Sequence, residues 1–156
     1  MRQVAEVLRR EIGRTVLLQG EDNKQRLLKT FVENGRAVLV ATSSFWEGID
    51  VRGAALSCVI IDKLPFASPD DPLLKARVDD CKLKGGDPFA ELQLPKAVIA
   101  LKQGVGRLIR DRSDHGVLVI CDPRMVNKPY GAIKSLPAIP RTRELGSLGS
   151  FFDRGA

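Results

Sequence analysis

Short apolar runs alternate along this chain with stretches in which apolar residues recur every three or four positions. From Val4 to Ile12, Val4, Val7, Leu8 and Ile12 stand at helical spacing, which predicts a first helix. Thr15-Val-Leu-Leu-Gln19 reads as a buried strand ended by Gly20. Asn23 is placed to cap a second helix through Asn34, with Leu27, Leu28, Phe31 and Val32 turned inward and Gly35 as its stop. Ala37-Val-Leu-Val-Ala41 and Ser57-Cys-Val-Ile-Ile-Asp62 read as the next two strands. A proline-rich loop from Leu64 to Pro72 leads into a helix ending near Leu83, and Gly85-Gly86 breaks the chain. A long helix is predicted from Pro95 to Arg110, with proline in its first turn. Gly116-Val-Leu-Val-Ile-Cys121 is the last strand of the series.

Apolar strands of this length, alternating with helices, are the mark of an α/β fold with a mainly parallel sheet and helices on both faces. Such folds bind ligands at the carboxyl ends of their strands. Informative residues are therefore expected just after each strand. The texture changes from Ser135, where Pro137 and Pro140 interrupt regular structure. The chain thus divides into an α/β domain over 1–136 and an extended tail over 137–156. It opens in a helix, where a doubly wound domain ordinarily opens with a strand; a start inside a longer protein is expected.

Composition narrows the classes. A length of 156 residues suits one domain. Its 44% hydrophobic and 28% charged residues are those of an ordinary globular protein. No apolar run approaches the roughly 20 residues of a membrane span, and no signal segment is evident, so a cytoplasmic location without membrane contact is expected. Cys58, Cys81 and Cys121 lie far apart with no CxxC pair, which argues against a disulfide framework, a zinc site or an iron–sulfur site within this chain. The net charge of +6 favours polyanionic partners but leaves the fold open.

The strongest chemical signal is Gln103-Gly-Val-Gly106-Arg107-Leu-Ile-Arg110. On a helix, Gln103, Arg107 and Arg110 project from one face. Gly106 keeps the surface beside Arg107 low. Two guanidiniums aimed at one place suit the charge that builds on a transferring γ-phosphoryl group. A plain solvated basic face is the usual fate of helix arginines, but two glycines inside such a helix cost about 1 kcal/mol each and bring it nothing.

The second signal follows the second strand: Thr42-Ser-Ser44-Phe-Trp46-Glu47-Gly48-Ile-Asp50. Thr42, Ser43 and Ser44 offer hydroxyls, and the loop backbone offers N–H groups, to a nucleic-acid phosphate. Gly48 allows a close backbone approach to a nucleotide, and Asp50 is placed to accept from a ribose hydroxyl. The plain reading is a turn, since Ser, Gly and Asp are common turn residues. Phe45 and Trp46 suit either base stacking or packing, and packing is the commoner use.

Together these stretches resemble motifs V and VI of superfamily 2 helicases. The Glu47-Gly-Ile-Asp50 form, the Gln103-x-x-Gly106-Arg107-x-x-Arg110 form, and Leu64-Pro-Phe66 followed by Asp71-Pro-Leu73 are similar to the DinG/XPD family. The resemblance covers most of the chain, from about residue 15 to 143. It implies a RecA-like second motor domain. Arg110 would be the arginine finger, Arg107 its partner at the γ-phosphate, and Gln103 an orienting group. Glu47, Gly48 and Asp50, with Gly106, would serve the ATP site and couple it to DNA. Thr42, Ser43, Ser44 and Trp46 would line the DNA path. ATP and Mg2+ are implied, in a site completed by a first helicase domain of the same protein. Family members move five-prime to three-prime on single-stranded DNA and carry an iron–sulfur cluster in their first half. Single-stranded or forked DNA is the implied partner.

No GxxxxGK[ST] loop and no Asp-Glu-x-His box occur here, so nothing in this chain grips the phosphates of ATP. This is expected of a C-terminal part, inactive alone. The tail offers a second function class. Arg141, Thr142, Phe151 and Phe152 are candidates for docking a partner, and the resemblance implies the chi subunit of the DNA polymerase III clamp loader. In that reading the chain is an interaction module that recruits a helicase; the opposing reading is a tail packed on its own domain or disordered. A plain single-strand-binding module fits less well, since such modules lean on several stacking aromatics in a basic groove. His115 lies in a turn before a strand, where no metal or catalytic role is expected, Lys82 and Lys84 read as a solvated helix end, and Cys58 and Cys121 read as small buried hydrophobes. Asp62 and Asp122 end strands, where either a nucleotide cleft or an ordinary turn accounts for them.

Overall fold

The computed structural model describes residues 1–46, 51, 55–68, 70–109, 114–127 and 139–153. Helix α1 (Arg2–Glu11) leads into strand β1 (Val16–Leu18), and helix α2 (Lys24–Asn34) into strand β2 (Val38–Val40). β1 and β2 pair in parallel, Val16 opposite Val38 and Leu18 opposite Val40. Alternation along the strands sends successive residues to opposite faces. Val16, Leu18, Val38 and Val40 meet Ala5 and Leu8 of α1 on one face. Leu17 and Leu39 meet Leu27, Leu28 and Phe31 of α2 on the other.

Both helices form as predicted, with a correction at Val32, which the sequence pattern places on the inner face of α2 and which is exposed. Ala5 is the fully buried residue of α1, while Val4, Val7 and Ile12 are exposed. The four apolar positions span a wider arc than a two-stranded pair covers, and contact centres on the small Ala5, which lets the helix approach closely. Val32 is likewise left outside α2's contact. Asn23 caps α2 by accepting from the N–H of Arg26 at 2.9 Å. Gly35 ends the helix at φ 65, a left-handed conformation that suits glycine.

Strand β3 (Cys58–Ile61) pairs in parallel with β4 (Val117–Ile120). Val59, Ile61, Leu118 and Ile120 pack with Leu64, Met125 and Leu101, the last only 1% exposed. Leu101 belongs to helix α4 (Leu94–Leu108). Between β3 and α4 lies helix α3 (Pro72–Leu83), capped by Asp71, whose carboxylate accepts from the N–H groups of Leu73 and Leu74.

Four departures from expectation stand out. Among the described residues the strands form two separate two-stranded pairs, not one sheet. Apolar runs identify strands but do not say which edges meet. Helices cover both faces of β1/β2, whereas β3/β4 has α4 on one face and leaves Ile60 68% exposed on the other. Helix α4 is also shifted. A π-helical turn, Phe89–Gln93, runs directly into it, and it ends at Leu108, with Ile109 already extended. Helix α5 (Arg124–Asn127) follows β4, and helix α6 (Gly146–Asp153) replaces the extended tail over those residues. Leu145, Leu148, Phe151 and Phe152 recur at helical spacing there, a pattern masked in the sequence by Gly146 and Gly149. No helix among the described residues is long and apolar enough to cross a membrane.

Candidate functional site

The hydroxyl-bearing stretch after β2 forms a 3-10 turn, Ser43–Trp46. The end of β1 sets its position. The N–H of Gln19 donates to Val40 O at 2.9 Å, extending the ladder one step. Its side-chain carbonyl then accepts from Thr42 twice, from the backbone N–H at 2.8 Å and from Oγ1 at 3.0 Å. Thr42 Oγ1 lies 2.7 Å from Ser44 Oγ. Thr42, Ser43 and Ser44 are all exposed. Phe45 turns the other way, 3% exposed, and packs with Leu27 and Val51. Phe45 is therefore a packing residue, with Lys24 Nζ 5.1 Å from its ring centroid. Trp46 closes the turn, and its side chain lies outside the described part. Glu47, Gly48 and Asp50 also lie outside the described residues. Their flanks, Phe45 and Val51, share one buried cluster.

The 3-10 turn packs against α4, which carries the second motif. The helix turns Leu101, Gly104, Val105 and Leu108 inward. Gln103 and Gly106 are exposed and Arg107 is half-buried. A Cβ at Gly106 would meet nothing within 4 Å, so the surface beside Arg107 is open. The sequence places Gln103 and Arg107 one turn apart, and the structure brings their helix to the Thr42–Ser44 turn. The helix stops at Leu108, where the N–H of Ile109 donates to Val105 O, and Arg110 lies outside the described residues.

The carboxyl ends of β3 and β4 are tied by a cluster that the sequence left open. Asp122, 4% exposed, follows β4. Its carboxylate accepts from the Leu64 N–H at 2.9 Å, the Arg124 N–H at 3.0 Å and Arg124 Nε at 2.9 Å. The Arg124 hydrogen bonds hold Asp122 well below the usual carboxylate range, with the Leu64 and Arg124 backbone N–H groups adding to them and burial opposing. The Arg124 guanidinium lies 5.0 Å from the Phe66 ring, which meets Phe89 at 5.6 Å. Asp122 is thus a buried clamp between the Leu64–Phe66 loop and β4, satisfied entirely by its neighbours. Asp62 is exposed.

Other predicted residues are scattered. Cys121 is exposed, a correction, because β4 ends at Ile120; Cys58 is half-buried, and burial pushes its thiol up. Lys84 pairs with Asp80 at 2.7 Å on the exposed end of α3. His115 is exposed. Among the described residues no group of His, Cys, Asp and Glu is arranged to hold a metal ion, and the cysteines do not fit an iron–sulfur cluster. In the tail, Arg141 is exposed, and Thr142 Oγ1 accepts from the Glu144 N–H at 3.0 Å in a turn ahead of α6. Phe151 and Phe152 are exposed and meet edge to face at 5.5 Å.

A profile of the helicase C-terminal domain family matches residues 1–138. The chain belongs to that family. It is 67% identical over 153 residues to the ATP-dependent DNA helicase YoaA of Escherichia coli (strain K12), a match covering 97% of this chain and 24% of that protein. It is 60% identical to the YoaA of Haemophilus influenzae over the same shares. It is 39% identical over 143 residues to the ATP-dependent helicase DinG of Mycobacterium tuberculosis (strain ATCC 25618 / H37Rv), covering 90% of this chain and 22% of that protein. The DinG branch read from the two motifs together with Leu64-Pro-Phe66 and Asp71-Pro-Leu73 is borne out. The chain spans about a quarter of the length of these curated relatives.

Proposed function

We propose that this chain is the second motor domain of an ATP-dependent DNA helicase that translocates on single-stranded DNA, five-prime to three-prime, in DNA repair or replication. ATP with Mg2+ is held by a first helicase domain, and this domain completes the site. Arg107 and Arg110 neutralise charge on the γ-phosphate oxygens, and Gln103 orients groups beside them. Glu47, Gly48 and Asp50, with the low surface at Gly106, serve nucleotide contact and its coupling to DNA. The turn at Thr42, Ser43 and Ser44, with Trp46 at its end, holds the single strand. Closure on ATP and opening after hydrolysis move the strand past that turn, a motion of the hinge-closure class. An iron–sulfur cluster belongs, in this reading, to the part of the protein outside this chain.

The observation that carries the reading is the packing of the Ser43–Trp46 turn on α4, the helix that presents Gln103 and Arg107. DNA movement and phosphate sensing then share one rigid contact. The test is DNA-stimulated ATPase activity of the full-length protein with Arg110→Ala. A fall of about a hundredfold or more in turnover, with ATP binding nearly intact, is the size expected of an arginine finger. Unchanged turnover removes the motor reading.

The short helix α6 favours a second, compatible reading. Leu145 is 78% exposed, and Phe151 and Phe152 stand beside it in the same segment. In this reading the tail, with Arg141 and Thr142, docks the chi subunit of the DNA polymerase III clamp loader. Removing residues 139–153 is expected to abolish chi binding while leaving the melting temperature nearly unchanged. Unaltered affinity sinks it.

A further inference from the structure

The hydrogen atoms of the Thr42 turn can be assigned one by one. Gln19 Oε1 has no hydrogen, so Thr42 Oγ1 must donate to it across their 3.0 Å contact. The single hydroxyl hydrogen of Thr42 is then spent. Ser44 Oγ, 2.7 Å away, must therefore donate to Thr42. The donors run in one direction, from Ser44 to Thr42 to Gln19. The backbone N–H of Thr42 ends on the same Oε1 at 2.8 Å, which also fixes which way round the amide sits.

Two of the three hydroxyls in the turn thus have no hydrogen left for an incoming phosphate. What remain are the Ser43 hydroxyl and, beside the turn, the NH2 group of Gln19, which no acceptor engages among the described residues. Two bonds into its carbonyl polarise the amide and strengthen its N–H groups as donors. Gly20 follows in a tight turn, closed by Glu21 N–H to Leu18 O at 3.1 Å, with Gly20 at φ 99. No atom stands within 4 Å of a Cβ built on Gly20, so the backbone there is open to a ligand. Gln19 and Gly20 line a cleft of about 200 Å³ with Arg2 and Glu6. Arg9 and Glu21, also in its wall, are paired with each other.

We propose that Gln19 is a DNA-binding residue that works from both ends of its amide. The carbonyl fixes Thr42, and the NH2 donates to a phosphate oxygen of the bound single strand. The end of β1 at Gln19-Gly20 then continues the strand's path from the Ser43–Trp46 turn. The proposal rests on the reading of that turn as the DNA contact.

Gln19→Glu separates the two ends. A carboxylate still accepts both Thr42 bonds, but it has no N–H and repels a phosphate. The measurement is binding of an oligothymidylate strand to the full-length protein at low and moderate salt, with melting temperature alongside. Ser43→Ala, which removes the one uncommitted hydroxyl of the turn, tests the underlying reading. The expected result for Gln19→Glu is unchanged melting and about a tenfold or greater loss of DNA affinity, a loss that narrows as salt screens the added charge. If Ser43→Ala weakens binding and Gln19→Glu does not, Gln19 is only a peg and the proposal is overturned while the DNA-binding turn stands. If neither changes binding, the reading of the turn fails and the Gln19 proposal with it. Should Gln19→Glu melt early, hydrogen exchange on the unaltered protein decides. Added oligothymidylate is expected to slow exchange of the Gly20 and Glu21 amides, and no slowing there overturns the proposal.

Discussion

The β1/β2 pair and the β3/β4 pair have the same parallel ladder and opposite surroundings. The first lies between α1 and α2, with apolar side chains on both faces. The second has α4 on one face and shows Ile60 to solvent on the other. Parallel strands are usually covered on both faces, so the second pair must be held by other means. Leu101 supplies a deep apolar anchor from α4, and Asp122 ties the strand's end to the Leu64 loop through charge-assisted bonds. The half that carries Gln103 and Arg107 is thus fastened at one face and one end. In the proposed motor reading such a half suits a domain that shifts against a partner, because elements that move are drawn from the less protected parts of a structure.

The largest effect expected from breaking this contrast is at the anchor. Leu101→Ala should cost about 2–5 kcal/mol, read as loss of hydrogen-exchange protection across β3 and β4 before β1 and β2. Equal loss in both pairs would mean that they unfold as one unit. Asp122→Ala should cost about 2–4 kcal/mol, since it leaves the Leu64 N–H buried without its acceptor and removes a carboxylate from Arg124, whose part-exposed side chain water can solvate in part.

The same carboxylate sets a pH signature. Its folded-state pKa is depressed. Its contribution is therefore fully present above the unfolded value, about 3.9, and is lost as pH falls below that toward the folded value. Denaturant unfolding followed from pH 6 down to about 3 should show this decline in the native protein and a shallower one in Asp122→Asn. Parallel declines would assign the acid sensitivity to other carboxylates.

Smaller effects sharpen the picture further. A Cβ at Gly116 would sit 2.5 Å from Leu108 Cδ1 and 3.0 Å from the Ser57 carbonyl oxygen. Gly116→Ala is expected to cost about 1–3 kcal/mol and, by displacing the end of α4, to lower DNA-stimulated turnover as well. A stability loss with turnover intact would uncouple that helix end from Arg107. Ile60→Thr, on the uncovered face, should change the denaturation midpoint by no more than about 0.5 kcal/mol in free energy. A cost above about 1.5 kcal/mol would reveal that something covers this face in the working protein.

Much of this was legible in the chain itself. Buried strands declare themselves by continuous apolar runs, so Val16–Leu18, Val38–Val40, Cys58–Ile61 and Val117–Ile120 fall inside the predicted segments. Caps are local chemistry, so Asn23 and Gly35 bound α2 as read. Gln103 and Arg107 lie one helical turn apart, a spacing that fixes a shared direction without any tertiary information. Helical spacing also predicts its own continuation, whereas α4 ends at Leu108 and Ile109 is already extended, a boundary that periodicity does not mark.

Pairing, facing and partnership were decided only in three dimensions. Which strands join, which of Val4, Ala5 and Val7 is covered, and whether Asp122 meets a ligand or an arginine all depend on segments remote in sequence. Gln19 shows this most plainly. In the chain it is a polar residue closing an apolar run, 23 positions from Thr42. Parallel pairing of β1 with β2 brings the two strand ends together, and only then does one amide carbonyl face two donors. Local pattern sets which segments become helix or strand, because backbone geometry repeats over a few residues. Contacts between segments set what each side chain does, and those exist only once the strands have found their neighbours.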